Sequence, residues 1–488
     1  MRALIYLVVI LLPILGGLAI LPLHFKKDLT RNLYAEGIVC LTSVLVWIVL
    51  VEDPGWVEVY SFTRGFSIDF HVDDLTRLFA GMVSLMWPLV MLYAFEYMRE
   101  SRRKNLFFAF FVATYGVTLG VAFASNMTTL YVFFEMLTLV TIPLVVHYED
   151  HDSLYAGRKY AAYTIGGASL AFFAVVMSTV AGQGGNFLPG GSLNADYSQS
   201  ILQVAFLFGF FGFGVKAAVF PLHEWLPTAS VAPTPVTALL HAVAVVNSGV
   251  FAITRMTYYV YGTEILAGTP AQTVGLLFSE FTLVYAAVMA LKERHFKRRL
   301  AYSTVSNLSY MLFGVMLLSE AGLMAGMAHM LFHGIIKITL FMCAGAFMHQ
   351  TGHEYIYEIN GVGRRMPLTC TFYTLGALSL TGIPLFCGFI SKWQLFVAGA
   401  QLGTPLALTG VAALIVSAFL CAMYSLTVSV RAFFPMQGKD RYSEEGSATE
   451  AGLLMLLPIA VFSVVNVVFG VWPGPILNWL RALAAAAM

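Results

Sequence analysis

The sequence predicts an all-α polytopic membrane protein of about fourteen transmembrane helices, with residues 1–488 forming a single membrane domain. Three observations carry this reading. First, 59% of the 488 residues are apolar and 11% are charged, with a mean hydropathy of +0.79. Soluble domains carry about 25% charged residues, so this chain cannot clothe a soluble surface. That excludes a soluble enzyme, a disordered chain and a nucleic-acid binder with a basic face; the net charge of +1 discriminates nothing further. Second, apolar stretches of about 20 residues, the length that crosses a bilayer, follow one another with short polar connections. Third, Lys and Arg collect on alternate connections.

Taken in order, the first stretch, 2–22, follows Arg2 and stops before Lys26-Lys27. It resembles a signal peptide, but the run is long and lacks an A-x-A site, so it reads as an uncleaved span. The stretch 34–51 ends at Glu52-Asp53-Pro54, and 75–97 lies between Asp73-Asp74 and Arg99. Then come 105–124, 127–146, 157–182, 199–219, 232–260, 269–291, 300–318, 322–348, 367–396, 404–433 and 452–480. Only 52–74, 183–198 and 435–451 are long enough for structure outside the bilayer. The glycine-rich 182–191 lacks a full G-x-G-x-x-G and reads as a loop. Cys40, Cys343, Cys370, Cys387 and Cys421 are scattered with no C-x-x-C, so they read as small buried apolar residues rather than ligands.

With fourteen spans, one side collects Lys26, Lys27, Arg31, Arg99, Arg102, Arg103, Lys104, Arg158, Lys159, Lys292, Arg294, Lys297, Arg298, Arg299, Arg364, Arg365, Arg431, Lys439 and Arg441. The other has Arg2, Arg64, Arg255 and Arg481. A miscounted span would scramble this bias. Basic connections face the cytoplasm, so both termini and the acidic segment 52–74 are expected outside it, in a cell membrane.

Four cations remain: Arg77, Lys216, Lys337 and Lys392 fall inside spans. A charge in hydrocarbon costs about 2.5–3.5 kcal/mol or more and persists when paired, hydrated or useful. Glu135 lies midway along span 5. Lys216 ends span 7, with Pro221, Pro227, Pro233 and Pro235 after it; a helix must break there, and broken helices in membranes line cavities. His241 sits in span 8. His329, His333 and Lys337 recur every four residues in span 11, drifting about 80° around the helix over about 12 Å of rise. Lys392 follows Gly382, Pro384 and Gly388 in span 12, a second expected break. This suits proton transfer: a buried lysine trades its proton according to whether a carboxylate is near, and histidine relays protons near neutrality.

Duller readings stand beside these. Arg77 snorkels or pairs with Asp73 or Asp74. His223 and Glu224 cap the helix break or meet headgroups. A single histidine such as His241 is commonly a satisfied interior residue. His329 and His333 have metal-compatible spacing, but no H-E-x-x-H frame, and Lys337 stands one turn on; no metal or cofactor is expected. His241 facing His333 would be the one arrangement for a b-type haem, which keeps a haem- or quinone-binding redox protein as an alternative.

At span 7 the wording becomes specific. Lys216-Ala-Ala-Val-Phe-Pro-Leu-His-Glu-Trp-Leu-Pro, continued by Ala232-Pro-Thr-Pro-Val-Thr-Ala-Leu-Leu-His241, resembles the signature of proton-conducting antiporter-like membrane subunits. These occur in respiratory complex I, in energy-converting membrane-bound hydrogenases and in Mrp-type cation/proton antiporters. Phe134-Glu135, Lys297-Arg-Arg-Leu-Ala-Tyr-Ser-Thr, the His329/His333/Lys337 row and Gly388-Phe-Ile-Ser-Lys392 resemble further motifs of that family, so the likeness covers about 60–435. It implies two inverted five-helix repeats, at about 105–260 and 269–433, with broken helices 7 and 12. It also implies Glu135 and Lys216 as an input-side switch, His241, His329, His333 and Lys337 as a central axis, and Lys392 as the terminal proton-loading site. The implied partners are other membrane subunits, including antiporter-like paralogues and a redox module; the alternative is an Mrp-type Na+/H+ antiporter. Two departures stand out. The span-8 stretch where some paralogues carry a lysine reads Val245-Val-Asn247-Ser-Gly, which leaves His241 to serve, and His295 stands where span 10 usually has an acid. The chain stops just after span 14, without the long lateral helix of the largest complex I paralogue, which favours a shorter one.

Overall fold

The computed structural model describes residues 2–63, 65–182, 185–194, 197–435 and 449–488. Arg64, Lys439 and Arg441 of the charge count lie outside the described residues, as do positions 183–184 of the glycine-rich loop and most of 435–451.

Helix forms at each of the fourteen expected positions. The first six are α1 (Arg2–Leu18), α2 (Asp28–Glu52), α3 (Asp74–Tyr97), α4 (Lys104–Phe123), α5 (Met127–Val145) and α6 (His151–Ala181). Between α2 and α3 the acidic segment folds into an antiparallel hairpin, β1 (Val57–Thr63) and β2 (Phe66–Phe70), with Val57 opposite Phe70. Asp73, Asn126 and Asp150 start α3, α5 and α6 by accepting the backbone N–H three residues on, the usual relief for unpaired donors at a helix start.

Span 7 breaks as the prolines require. α7 (Gln199–Gly214) stops before Lys216, and an irregular stretch leads to the short α8 (Trp225–Thr228). The Trp225 indole N–H, 2.7 Å from the Val215 carbonyl, ties the two sides of this break. Span 8 differs from the single helix expected. α9 (Thr234–Ala242) ends one residue after His241, α10 (Val245–Arg255) follows, and a π-helical segment, Met256–Tyr261, leads into α11 (Gly262–Leu266). No proline or glycine marks the break at 243–244. Asn247 makes it tolerable, because its amide donates to the freed Ala242 carbonyl at 2.8 Å.

The second half comprises α12 (Pro270–Lys292), α13 (Phe296–Met316), α14 (Glu320–Thr351), α15 (Pro367–Thr381), α16 (Cys387–Leu402) and α17 (Pro405–Phe433). Span 12 is broken between α15 and α16, where Gly382 takes a φ of 97° that suits glycine. Span 14 is also interrupted: α18 (Leu453–Val471) gives way before Pro473 to α19 (Gly474–Ala487). Ten helices are long and apolar enough to cross a membrane among the described residues.

The helix ends fall into two bonded sets. On the basic side Lys104 pairs with Asp28 at 2.6 Å, His295 with Glu354 at 3.1 Å, Lys159 with Glu224 at 2.9 Å, and Gly361 N–H donates to the Arg431 carbonyl at 3.0 Å. On the other, Tyr6 donates to the Gly55 carbonyl at 3.0 Å and Gly190 to that of Ala487 at 3.2 Å. Several residues counted as loop cations are instead buried: Arg31, Arg255, Lys297 and Arg299. Arg299 donates to the carbonyls of Leu291, Glu293 and Tyr424 and so closes the C-terminus of α12. Cys40 also departs from expectation. It is exposed on α2, 3.4 Å from a Glu36 oxygen, whereas the other four cysteines are buried.

The breaks in spans 7 and 12 are held by glycine contacts. A Cβ on Gly249 would lie 2.9 Å from the Lys216 carbonyl carbon, and one on Gly388 would lie 2.8 Å from that of Ser379. Gly37, by contrast, faces open space. Gly249→Ala and Gly388→Ala are therefore expected to destabilise the protein by about 1–3 kcal/mol through overpacking, read as a lowered melting temperature in detergent. Gly37→Ala should leave it unchanged or slightly raised.

Candidate functional site

The buried ionisable residues lie where the helices break or press together. Lys216 follows the end of α7 and is fully buried. Its ammonium donates to the Phe134 carbonyl and sits 3.7 Å from the centre of the Phe134 ring. Phe134 precedes Glu135 on α5, so the structure brings the acid and the lysine into one neighbourhood. It does not join them: among the described residues they form no ion pair within 4.0 Å, and Glu135 Oε1 is enclosed without a hydrogen-bond partner.

His241 occupies the last turn of α9, stacked on Phe341 at 4.8 Å. α14 passes close by, since a Cβ on Gly334 would lie 3.3 Å from the Ala242 carbonyl oxygen. Both His241 and His333 are fully buried with neither ring nitrogen hydrogen-bonded to protein. His329 and His333 stand 6.0 Å apart, ring to ring.

From there a row of polar groups is continuous. Lys337 donates to the Leu300 carbonyl at 3.0 Å and to Ser303 Oγ. The amide of Asn307 donates to the Ser303 carbonyl at 2.6 Å, and its oxygen lies 3.2 Å from His329 Nε2. His329 Nδ1 lies 2.9 Å from Ser391 Oγ. The next residue, Lys392, donates to the Leu380 carbonyl at 2.5 Å and hangs 5.1 Å from the Tyr310 ring, itself stacked on His329 at 5.2 Å. Lys392 is partly buried, whereas Lys337, Ser303 and Ser391 are fully enclosed.

Sequence reasoning missed the contribution of α13. Ser303, Asn307 and Tyr310 line one face of it at i, i+4 and i+7. The signal was present, because Ser303, Thr304, Ser306, Asn307 and Ser309 crowd into one short stretch of the expected span 300–318. Lys297 was also missed. It is 4% exposed and donates to the Ala232 carbonyl at 2.9 Å, beside the start of α9. Of the residues with a duller reading beside the functional one, Arg77 pairs with Asp74 at 2.9 Å and with Asp53 at 3.1 Å. Glu224 holds Lys159, while His223 is buried against Phe220 and Tyr285, its ring nitrogens unpartnered.

This architecture is shared. The chain aligns over its full length with a chain of the membrane-bound sulfane sulfur reductase, an archaeal respiratory membrane complex, covering 97% of that chain at a TM-score of 0.85 and 22% identity. It also aligns over 98% of its length with a chain of the Mrp complex from Dietzia sp. DQ12-45-1b, covering 97% of that chain, at a TM-score of 0.82 and 20% identity. The Na(+)/H(+) antiporter subunit A1 of Staphylococcus aureus is 29% identical over 446 residues, which is 85% of this chain and 54% of the relative. The chain thus spans about half the length of the curated relatives it matches. Residues 56–108 match the family described as NADH-ubiquinone oxidoreductase (complex I), chain 5 N-terminus. Because residues 124–420, more than half the chain and all of the buried polar row, match its model, this protein belongs to the NADH:quinone oxidoreductase/Mrp antiporter transmembrane family.

Proposed function

We propose that this chain is a proton-translocating, antiporter-like subunit of a multisubunit membrane complex of the complex I or membrane-bound hydrogenase type. The observation that carries the reading is the hydrogen-bonded row from Lys337 through Ser303, Asn307 and His329 to Ser391, with Lys392 beside it. Protons enter at Glu135 and Lys216. The carboxylate's approach holds the lysine charged, and its withdrawal frees the proton to move on. His241 and His333, whose nitrogens have no protein partner, relay it through enclosed water. Lys337, His329 and Lys392 complete the path. The repeats 105–260 and 269–433 are inverted copies, each supplying one broken helix. The basic face is cytoplasmic and both termini lie on the opposite side of a cell membrane. Neighbouring membrane subunits, antiporter-like paralogues among them, pack against the chain, and a redox module supplies the driving reaction.

A second reading is favoured by one observation, the Staphylococcus relative named as a Na(+)/H(+) antiporter subunit. In it the same core exchanges Na+ for protons without redox chemistry. Purifying the intact complex separates the two. Copurifying iron–sulfur subunits and proton uptake driven by an electron donor support the first, whereas Na+-dependent proton release without a donor supports the second.

Two further outcomes test the path itself. Lys216→Met and Glu135→Gln should each cut proton translocation by vesicles carrying the whole complex at least tenfold while leaving assembly intact, read by quenching of a pH-sensitive dye. Wild-type translocation in either variant removes that residue from the path. Asn307→Leu, which severs the link between Ser303 and His329, should cut translocation similarly, and Lys392→Ala should block release. A normal proton gradient in Lys392→Ala would place the exit elsewhere.

A further inference from the structure

A second polar site lies at the opposite end of the first half from the Lys159–Glu224 pair. Four segments meet there and are tied by backbone bonds. Ser125 N–H donates to the Asp69 carbonyl at 3.1 Å, His71 to Phe123 at 3.0 Å, Phe187 to Ser125 at 2.9 Å and Leu188 to Tyr259 at 3.0 Å. They frame a cavity of about 310 Å³ whose lining includes Trp56, His71, Asp73, Ser125, Asn186 and Arg255. Water occupies about 30 Å³ per molecule in the liquid, so the space suits roughly ten waters. Arg255 Nε and Ser125 Oγ are both enclosed with no protein partner. Buried donors of this kind call for water.

The cavity wall includes an ion pair. Arg255, 1% exposed, donates from Nη2 to Asp73 Oδ1 at 2.7 Å and to Thr76 Oγ1 at 2.8 Å, and from Nη1 to Asp73 Oδ2. Its guanidinium packs against Phe187, Phe251 and Tyr259, with ring centres 4.6–5.1 Å away. Burial alone would raise the Asp73 carboxyl, but Arg255 and the Thr76 N–H hold it down at about 2, so the pair stays charged at every physiological pH. Past Ser125, α5 carries Thr128 and Glu135. Seven residues apart, they share a helix face with about 10 Å of rise between them, and each has an enclosed oxygen with no partner.

We propose that the Asp73–Arg255 pair is a gate at this end of the path, separating the water-holding cavity from the Thr128–Glu135 stripe. Closed, the bidentate pair, packed against Phe187, Phe251 and Tyr259, fills the mouth and interrupts the file of water that would carry protons from cavity to stripe. The hinge is the π-helical segment Met256–Tyr261 directly after Arg255. Such segments recur at functional sites, and relaxing one to α-helix would shift the register that aims Arg255.

The gate rests on the conduction reading above, so its test begins with a measurement that conduction does not enter. In the intact complex in nanodiscs, with the five native cysteines replaced, Ser125→Cys should react readily with a charged methanethiosulfonate and Thr128→Cys at least tenfold more slowly. Adding Asp73→Asn should raise the Thr128→Cys rate at least tenfold. Arg255→Gln, which leaves the Asp73 cap on α3 in place, should do the same, with the Ser125→Cys rate unchanged as the check on folding. In proteoliposomes either opening variant should raise passive proton leak at least tenfold, and adding Glu135→Gln should abolish the increase. An unreactive Ser125→Cys, equal Thr128→Cys rates with and without the pair, or unchanged leak would each overturn the gate. Failure of the conduction reading shows separately, as Glu135→Gln alone leaving driven translocation intact.

Discussion

The structure depends on how a bilayer-embedded protein holds ammonium groups out of water, and here it does so with neutral oxygen. Lys216 rests on the Phe134 carbonyl, Lys297 on that of Ala232, Lys337 on that of Leu300, and Lys392 on those of Leu380 and Thr381. None of the four has a carboxylate within 4.0 Å among the described residues. A carbonyl dipole compensates part of a buried charge without cancelling it. Such a lysine is stable enough to stay in the membrane and loose enough to gain or lose a proton. Full ion pairing would make each site cheaper and more inert.

The helix breaks follow from that need. A continuous helix spends its carbonyls internally, and its last turn leaves four unpaired. Leu380 and Thr381 belong to the final turn of α15, which is why Lys392 finds acceptors just where Gly382 and Leu385 turn the chain. Ala232 is freed by the irregular stretch before α9. Discontinuity, costly elsewhere in a membrane, here supplies acceptors for Lys297 and Lys392, whereas Lys216 and Lys337 share carbonyls inside α5 and α13. The glycines close to each break, Gly249 and Gly388, let the neighbouring backbone approach closely enough to seal it.

Much of this was legible from residues alone. The spans followed from apolar length, two breaks from proline and glycine, and the stripe on α14 from a four-residue repeat. What was hidden depends on tertiary partners. The break after His241 has no proline or glycine; it exists because Asn247 can serve the Ala242 carbonyl, and any asparagine in a span would have looked the same. The polar face of α13 was read as ordinary helix because serine and threonine satisfy themselves against their own backbone in most spans. Arg255 and Lys297 were counted as loop cations because they lie near span ends, and burial of a span end is set by what packs over it. The apolar neighbours of Cys40 predict burial, but on a bilayer-facing helix an apolar run marks the lipid side as readily as the core.

Two sites in the protein treat charge in opposite ways. Along the central row every cation is held by neutral acceptors. At the cavity beyond Ser125, Arg255 is clamped by a bidentate carboxylate, a hydroxyl and three aromatic rings. Paired so closely, that arginine cannot act as a proton carrier, since guanidinium stays protonated in proteins. A residue that cannot carry protons, set in the wall of a cavity of about 310 Å³, is suited to bar them. A conducting protein needs both kinds of site. Mobile protons require weakly satisfied bases along the route, and a gradient survives only if some boundary between route and solvent stays closed to a continuous file of water.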